Sequence, residues 1–201
     1  MPGNDPWEVV ELFERIVALA PRAIRFDGTI VRSVATRYAN AGEFLSGVGA
    51  ARFGGRWNRP GFRAVYASLD IVTATLEAYQ NFLDGGFSLS AIRPRVTAGA
   101  TARLIAVLDL TDQNVRRKIG FTLAELVDED WSGIQAAGDE AWTQAIGRGC
   151  REAGLEAILV PSARNSGGKN VVIFPDRLAD GSSLELLAAD DLPPHPTLWT
   201  R

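Results

Sequence analysis

The sequence predicts a single α+β domain, a mixed β-sheet core with flanking helices and an N-terminal helical extension. Three observations lead there. At 201 residues the chain has the length of one domain. Its 46% hydrophobic and 22% charged residues are an ordinary globular composition, which excludes global disorder. Helical and alternating apolar patterns then succeed one another with no long linker, internal repeat or low-complexity tract.

The first element is an amphipathic helix over residues 5–20. Asp5 caps it, Pro6 suits its first turn, and Val9, Leu12, Phe13, Ile16, Val17 and Leu19 follow helical spacing until Pro21 stops it. Thr29 to Val34 reads as a strand. Ser46 to Gly61 is a turn-rich stretch dense in Gly and Arg. Arg63 to Ser68 alternates as a strand, and Asp70 caps a helix that runs to about Leu83 and ends at Gly85-Gly86. Phe87 to Val96, interrupted by Pro94, and Ala102 to Leu110 read as two strands. Phe121 to Val127 is a short helix or turn, and Asp139 to Ala153 a longer helix closed by Gly154. Ala157 to Val160 and Val171 to Phe174 are paired strands presenting the polar loop 161–170 at one end. This divides the chain into an extension (1–28), a core (29–187) and an irregular tail (188–201) with the spacer-like run Pro193-Pro194-His195-Pro196.

Charge and rare residues narrow the chemistry. Lys and Arg number 21 against 24 Asp and Glu, a net charge of −3, so no global basic field attracts nucleic acid or an anionic membrane. One cysteine, Cys150, forms no intramolecular disulfide and fits a reducing compartment. With His195 as the sole histidine and Cys150 as the sole cysteine, no His/Cys metal cluster can be built from the chain, and no metal is expected. The N-terminus carries Asp5, Glu8 and Glu11 before its first basic residue, unlike a secretory signal, and no apolar run reaches membrane-spanning length. The expectation is a cytoplasmic protein whose chemistry comes from Glu, Asp, Arg, Tyr, Ser or Lys.

Two acid-free stretches stand out. Between Glu43 and Asp70 stand Arg52, Arg56, Arg59 and Arg63; between Glu156 and Asp176 stand Arg164 and Lys169 beside Gly167-Gly168. Guanidinium forks and Gly-rich turns cradle phosphate oxygens, though the same residues also make solvated loops. Neither a GxGxxG fingerprint nor a Walker loop is present. Glu77 lies mid-helix among small and apolar residues with no cation within four positions. Such a carboxylate is either exposed, or held in a cleft by groups distant in sequence.

In order along the chain, Arg32, Gly54-Gly55-Arg56-Trp57-Asn58, Ala64-Val65-Tyr66-Ala67-Ser68, Thr73-Ala74 with Glu77, Pro161-Ser162-Ala163-Arg164, Gly167-Gly168 and Asn170-Val171-Val172-Ile173-Phe174 together resemble the RES domain, over residues 29–187. The N-terminal helix and the proline-rich tail fall outside that likeness.

The resemblance implies an ADP-ribosyltransferase-like fold and the toxin of a toxin–antitoxin pair with an Xre-type antitoxin. Its substrate is then NAD+, cleaved at the nicotinamide–ribose bond by hydrolysis or phosphorolysis. The alternatives are a mono-ADP-ribosyltransferase acting on a protein acceptor and a non-catalytic nucleotide-binding or interaction module. On this reading Arg32 and Arg56 fork the pyrophosphate, and Tyr66 offers its ring to nicotinamide or its hydroxyl to the ribose. Glu77 binds ribose hydroxyls and stabilises the oxocarbenium-like ribose, Ser162 orients the substrate, and Asn170 braces the loop or binds ligand. Trp57 either stacks on a base or packs under the Gly-rich loop. Trp131 and Trp142 read as core or subunit-contact residues, and a homo-oligomer is left open.

Overall fold

The computed structural model describes residues 6–84 and 95–193. Asp5, Gly85-Gly86, most of the strand expected over 87–96 and most of the proline-rich tail lie outside the described residues.

Helix α1 (Pro6–Leu19) turns Leu12, Ile16 and Leu19 into the main core, where they meet α7 (Trp142–Glu152). The two helices approach closely at Gly149, where a Cβ would stand 2.9 Å from the tips of Ile16 and Phe13. Sequence reasoning placed this helix outside the domain core, yet its buried side chains belong to the same cluster as the sheet residues Ile158, Val160 and Val172.

Six strands form one sheet: β1 (Ile24–Ala35), β2 (Val65–Ser68), β3 (Arg95–Asp109), β4 (Ala157–Pro161), β5 (Lys169–Ile173) and β6 (Ser183–Leu186), in the order β1-β2-β5-β4-β3-β6. A further antiparallel pairing of β1 with β3 joins the series into a closed five-strand circuit, with β6 added on β3. All five strands of the circuit send residues to one apolar cluster, including Ile30, Val65, Leu104, Leu159 and Ile173. Alternation does the rest. Ile158, Val160, Val172 and Phe174 point the other way, toward α1 and α7. The expected hairpin is present: β4 and β5 pair antiparallel, Pro161 opposite Lys169, and present the loop between them at one end.

Helix α3 (Ile71–Asp84) follows β2 directly, its first turn capped by the Asp70 carboxylate, which accepts from Thr73 N–H at 2.8 Å. Three short helices, α4 (Gln113–Ile119), α5 (Leu123–Asp128) and α6 (Trp131–Ala136), lie between β3 and α7. Cys150 is fully buried on α7, and burial raises its thiol far above the ordinary range, so it serves as core and is not a nucleophile.

One buried carboxylate joins three segments. Glu156 accepts from Ile105 and Ala106 N–H on β3 through Oε2 (2.7 and 3.3 Å), and from Ala179 N–H and Ser182 Oγ through Oε1 (2.8 and 2.7 Å). Glu156→Ala orphans these donors and should lower stability by about 3 kcal/mol. Urea unfolding measures it, and a loss under about 1 kcal/mol would mean that water replaces the carboxylate.

Candidate active site

A cleft of about 520 Å³ opens between β1, β2, α3, the Gly-rich loop and the end of the β4–β5 hairpin. That is the size range of small-molecule sites. Its walls include Arg32, Arg56, Tyr66, Glu77 and Asn170. Residues spread over more than a hundred positions of sequence meet there.

The Gly-rich loop is built as a tight turn. Gly55 and Asn58 exchange backbone hydrogen bonds of 2.8 and 3.2 Å, and Gly54, at φ +74°, adopts a backbone that side chains disfavour. The buried Asn58 amide donates to Ala50 O and Arg59 O, both at 2.9 Å. From below, the fully buried Gln144 of α7 donates to Gly55 O at 3.1 Å. Trp57 is 3% exposed and belongs to the main core, so it packs beneath the loop with only a small part on the cleft wall. That leaves Arg56 to face the cleft. Its Nη1 donates to Leu126 O (3.1 Å) and Glu129 O (3.0 Å). The Glu129 carboxylate in turn accepts from the first N–H groups of α7, at Trp142 and Thr143. Burial pulls the Arg56 guanidinium below its ordinary pKa, opposed by Glu129 and Glu77.

Tyr66 stands on β2 with its hydroxyl already engaged: it donates to Asn58 Oδ1 at 2.8 Å and accepts from Trp57 N–H at 2.9 Å. Burial drives its pKa well above the usual phenol value, so it stays neutral. The side chain that touches the cleft thereby fixes the loop.

At the other end of Tyr66, Arg32 Nη1 donates to the Tyr66 carbonyl at 2.7 Å. Arg32 Nε is buried with no hydrogen-bond partner among the described residues. Desolvation, and next the charge of Arg95, lower its pKa to about 10, still cationic at neutral pH. A buried cation with an unsatisfied N–H on a cleft wall calls for an anion.

Glu77 sits on α3 as the one carboxylate among the described residues lining the cleft. Its Oε1 accepts from Ser162 Oγ at 2.6 Å and from Asn170 Nδ2 at 2.7 Å. Its Oε2 has no hydrogen-bond partner among the described residues. Asn170 is oriented by Ser68, whose hydroxyl donates to Oδ1 at 2.7 Å. Ser162 is buried and does not line the cleft. Its Oγ, besides donating to Glu77, accepts from Arg164 and Asn165 N–H at 3.1 and 2.9 Å. The serine therefore stands behind the carboxylate and holds it.

Of the other arginines in the first acid-free stretch, Arg52 lies over the Phe53 ring, Arg59 donates to Gly138 O and Arg63 pairs with Asp176, and none of the three lines the cleft. Trp142 packs against Phe121 and the core, whereas Trp131 is half-buried on the cleft wall. Sequence reasoning missed Arg95, which lines the cleft and donates to Ser33 O at 2.7 Å. A signal was there: residues 85–108 form a third stretch without an acid. It also missed Gln144, Glu129 and Ser68, whose roles depend entirely on tertiary neighbours. Among the described residues no group of three or more His, Cys, Asp or Glu side chains could hold a metal ion, and no helix is long and apolar enough to cross a membrane.

The whole chain has relatives among known proteins. The family model described as the RES domain matches residues 29–195. The NAD(+) phosphorylase MbcT of Mycobacterium tuberculosis (strain H37Rv) is 33% identical over 172 residues, covering 79% of this chain and 81% of the relative. A probable NAD(+) phosphorylase, Rv3189, of the same organism is 32% identical over 159 residues, covering 79% and 69%. Among solved structures, the crystal structure of the M. tuberculosis MbcT–MbcA toxin–antitoxin complex superposes with a TM-score of 0.67 at 28% identity, over 94% of this chain and 95% of that one.

Proposed function

The chain belongs to the RES domain family, and on that premise we propose that it is an NAD+-degrading toxin, with inorganic phosphate as the acceptor and a cognate antitoxin as its partner. The observation that carries the reading is Glu77: one oxygen is fixed by Ser162 and Asn170, and the other has no partner among the described residues, on a cleft wall lined by arginines.

Nicotinamide in NAD+ is already a cationic leaving group, so breaking its bond to ribose needs no acid. What develops is positive charge on the ribose. A carboxylate held in place beside it, accepting from a ribose hydroxyl through the open Oε2, stabilises that charge without reorganising. Ser162 and Asn170 act as positioning residues for Glu77, Arg32 and Arg56 supply cations for the phosphates, and the Tyr66 ring forms the wall between them. Phosphate as acceptor is favoured by the names of the relatives MbcT and Rv3189. An antitoxin is favoured by the MbcT–MbcA complex. We take the antitoxin to be of the Xre type and to act in the cytoplasm by covering this cleft.

The test is incubation of the purified protein with NAD+ labelled in its adenylate half, with and without inorganic phosphate. The expected result is rapid loss of NAD+ with phosphate and accumulation of ADP-ribose phosphate. Free ADP-ribose at an unchanged rate would replace phosphate by water, labelled protein would indicate a protein acceptor, and intact NAD+ under both conditions would overturn the reading.

A further inference from the structure

A hydroxyl has one proton and two lone pairs. Both lone pairs of Ser162 Oγ are taken, by the N–H groups of Arg164 and Asn165 at 3.1 and 2.9 Å, which leaves its proton for Glu77 Oε1 at 2.6 Å. The direction of that bond is therefore set by where the loop backbone stands. The loop is also closed on itself: Ser162 N–H donates to Gly168 O and Gly168 N–H donates to Asn165 O, both at 2.9 Å.

The same loop is fastened to α3 a second time. Asn165 Nδ2 donates to Thr73 Oγ1 at 2.7 Å, and the Thr73 hydroxyl gives its own proton to Asp70 Oδ2 at 2.7 Å. Thr73 is fully buried, and neither it nor Asn165 lines the cleft. Thr73 and Glu77 stand four residues apart on α3 and so share a face of the helix, where Asn165 and Ser162 meet them. One such bridge is a pivot; two, a helical turn apart, fix the angle of the loop as well. Gly168 makes the approach possible, since a Cβ there would stand 2.6 Å from Thr73 Oγ1 and 2.8 Å from Asn165 Nδ2. Gly167, Gly168 and Lys169, read in the sequence as part of a candidate anion cradle, line no part of the cleft.

We propose that Thr73 and Asn165 are positioning residues for Glu77: their bridge fixes the loop, the loop aims the Ser162 hydroxyl, and the hydroxyl holds Oε1 so that Oε2 faces the ribose. The last step rests on the NAD+ reading. Asp70, which also caps α3 through the Thr73 N–H, is the far anchor of this chain of bonds. Without the bridge the loop pivots about the Ser162 contact and the carboxylate turns with it. The cleft residues Arg32, Arg56 and Tyr66 have none of these groups among their hydrogen-bond partners and keep their places. The consequence is a loss in the chemical step with substrate binding preserved.

Three variants test it. Thr73→Val keeps the shape and removes the hydroxyl, Thr73→Ser keeps the hydroxyl, and Asn165→Ala removes the bridge from its half-buried side. With NAD+ and inorganic phosphate, Thr73→Val and Asn165→Ala should each lower kcat by about thirtyfold and leave KM within about threefold, whereas Thr73→Ser should stay within about threefold of the wild type. Added to Ser162→Ala, Thr73→Val should cost less than about threefold more, because both act through one hydroxyl. Amide hydrogen exchange reads the same lock without turnover: the Arg164 N–H, which Ser162 Oγ accepts, should exchange about tenfold faster in Thr73→Val and Asn165→Ala than in the wild type and Thr73→Ser. Thermal melts show which variants are folded, and Asn165→Ala carries the test if Thr73→Val is not. An unchanged kcat, equal rates in Thr73→Val and Thr73→Ser, fully additive losses with Ser162→Ala, or unchanged exchange would overturn the proposal. A wild type that leaves NAD+ intact would overturn the NAD+ reading instead, and the exchange rates then decide whether the bridge holds the loop.

Discussion

Glu77→Gln is expected to lower the rate of NAD+ loss by about a thousandfold at saturating substrate, the size of effect seen when a transition-state electrostatic contact is removed. The reason lies in how the carboxylate is held. Both anchoring donors, Ser162 Oγ and Asn170 Nδ2, converge on Oε1. A glutamine carbonyl accepts both in the same place, so the fold and the loop should survive with a stability change within about 1 kcal/mol. The amide nitrogen then replaces Oε2. Where the wild type offers a negatively charged acceptor to the ribose, the variant offers a neutral donor. Initial rates, thermal unfolding and calorimetric NAD+ affinity check the three parts separately. A rate within about threefold of wild type would remove Glu77 from the chemistry.

Gly147→Ala should be nearly as damaging from a position that never touches the cleft. A Cβ at residue 147 would stand 1.8 Å from the Trp57 carbonyl oxygen, a contact with backbone that cannot rotate away. Helix α7 or the Gly-rich loop must move, at a cost of about 2–3 kcal/mol. Because Arg56 precedes Trp57 on that turn, its guanidinium moves as well. A displacement of about an ångström in a positioning group costs on the order of a hundredfold in rate. Gly149→Ala is the control. Its Cβ would meet the flexible ends of Ile16 and Phe13 at 2.9 Å, on the seam with α1, away from the cleft. It should lose stability and keep turnover. Equal rates in the two variants would show that Gly147 matters only for packing.

The parts of the fold legible in sequence are those with strong local periodicity. Helix α1, helix α3 with its Asp70 cap, helix α7 and the β4–β5 hairpin fall within a few residues of expectation. Strand β3 was harder. Thr97 to Ala102 carries small residues with no apolar alternation, so a strand was read only from Ala102 where it runs from Arg95 to Asp109. It stays extended because β1 pairs with it throughout, Thr97 opposite Ser33 and Ala102 opposite Gly28, and a partner seventy residues away leaves no local mark. Helices α2 (Val48–Phe53), α4 and α6 have six or seven residues, too few for a helical period to show. Strand β6 went unread for a similar reason: its four residues are half-covered by a single neighbour.

The candidate site was legible as residue types in order, and its geometry was not. Glu77 stood out because nothing near it in sequence balances its charge; its partners Ser162 and Asn170 come from 85 and 93 positions away. The Tyr66 hydroxyl and the Ser162 hydroxyl, both free groups on paper, are spent on protein partners. What sequence presented as a set of ligand-touching side chains is, in three dimensions, a smaller set of contacts with its supports behind it.

Closure of the strand circuit bears on how such an enzyme can be silenced. Strands β1 to β5 each have neighbours on both sides, and among the described strands β6 alone has one. The seam is thinnest where β1 meets β2, at Val31 opposite Ser68. An inhibitor protein that covered the cleft would meet its arginines, so an acidic surface, such as a short finger or chain terminus bearing carboxylates, would suit it.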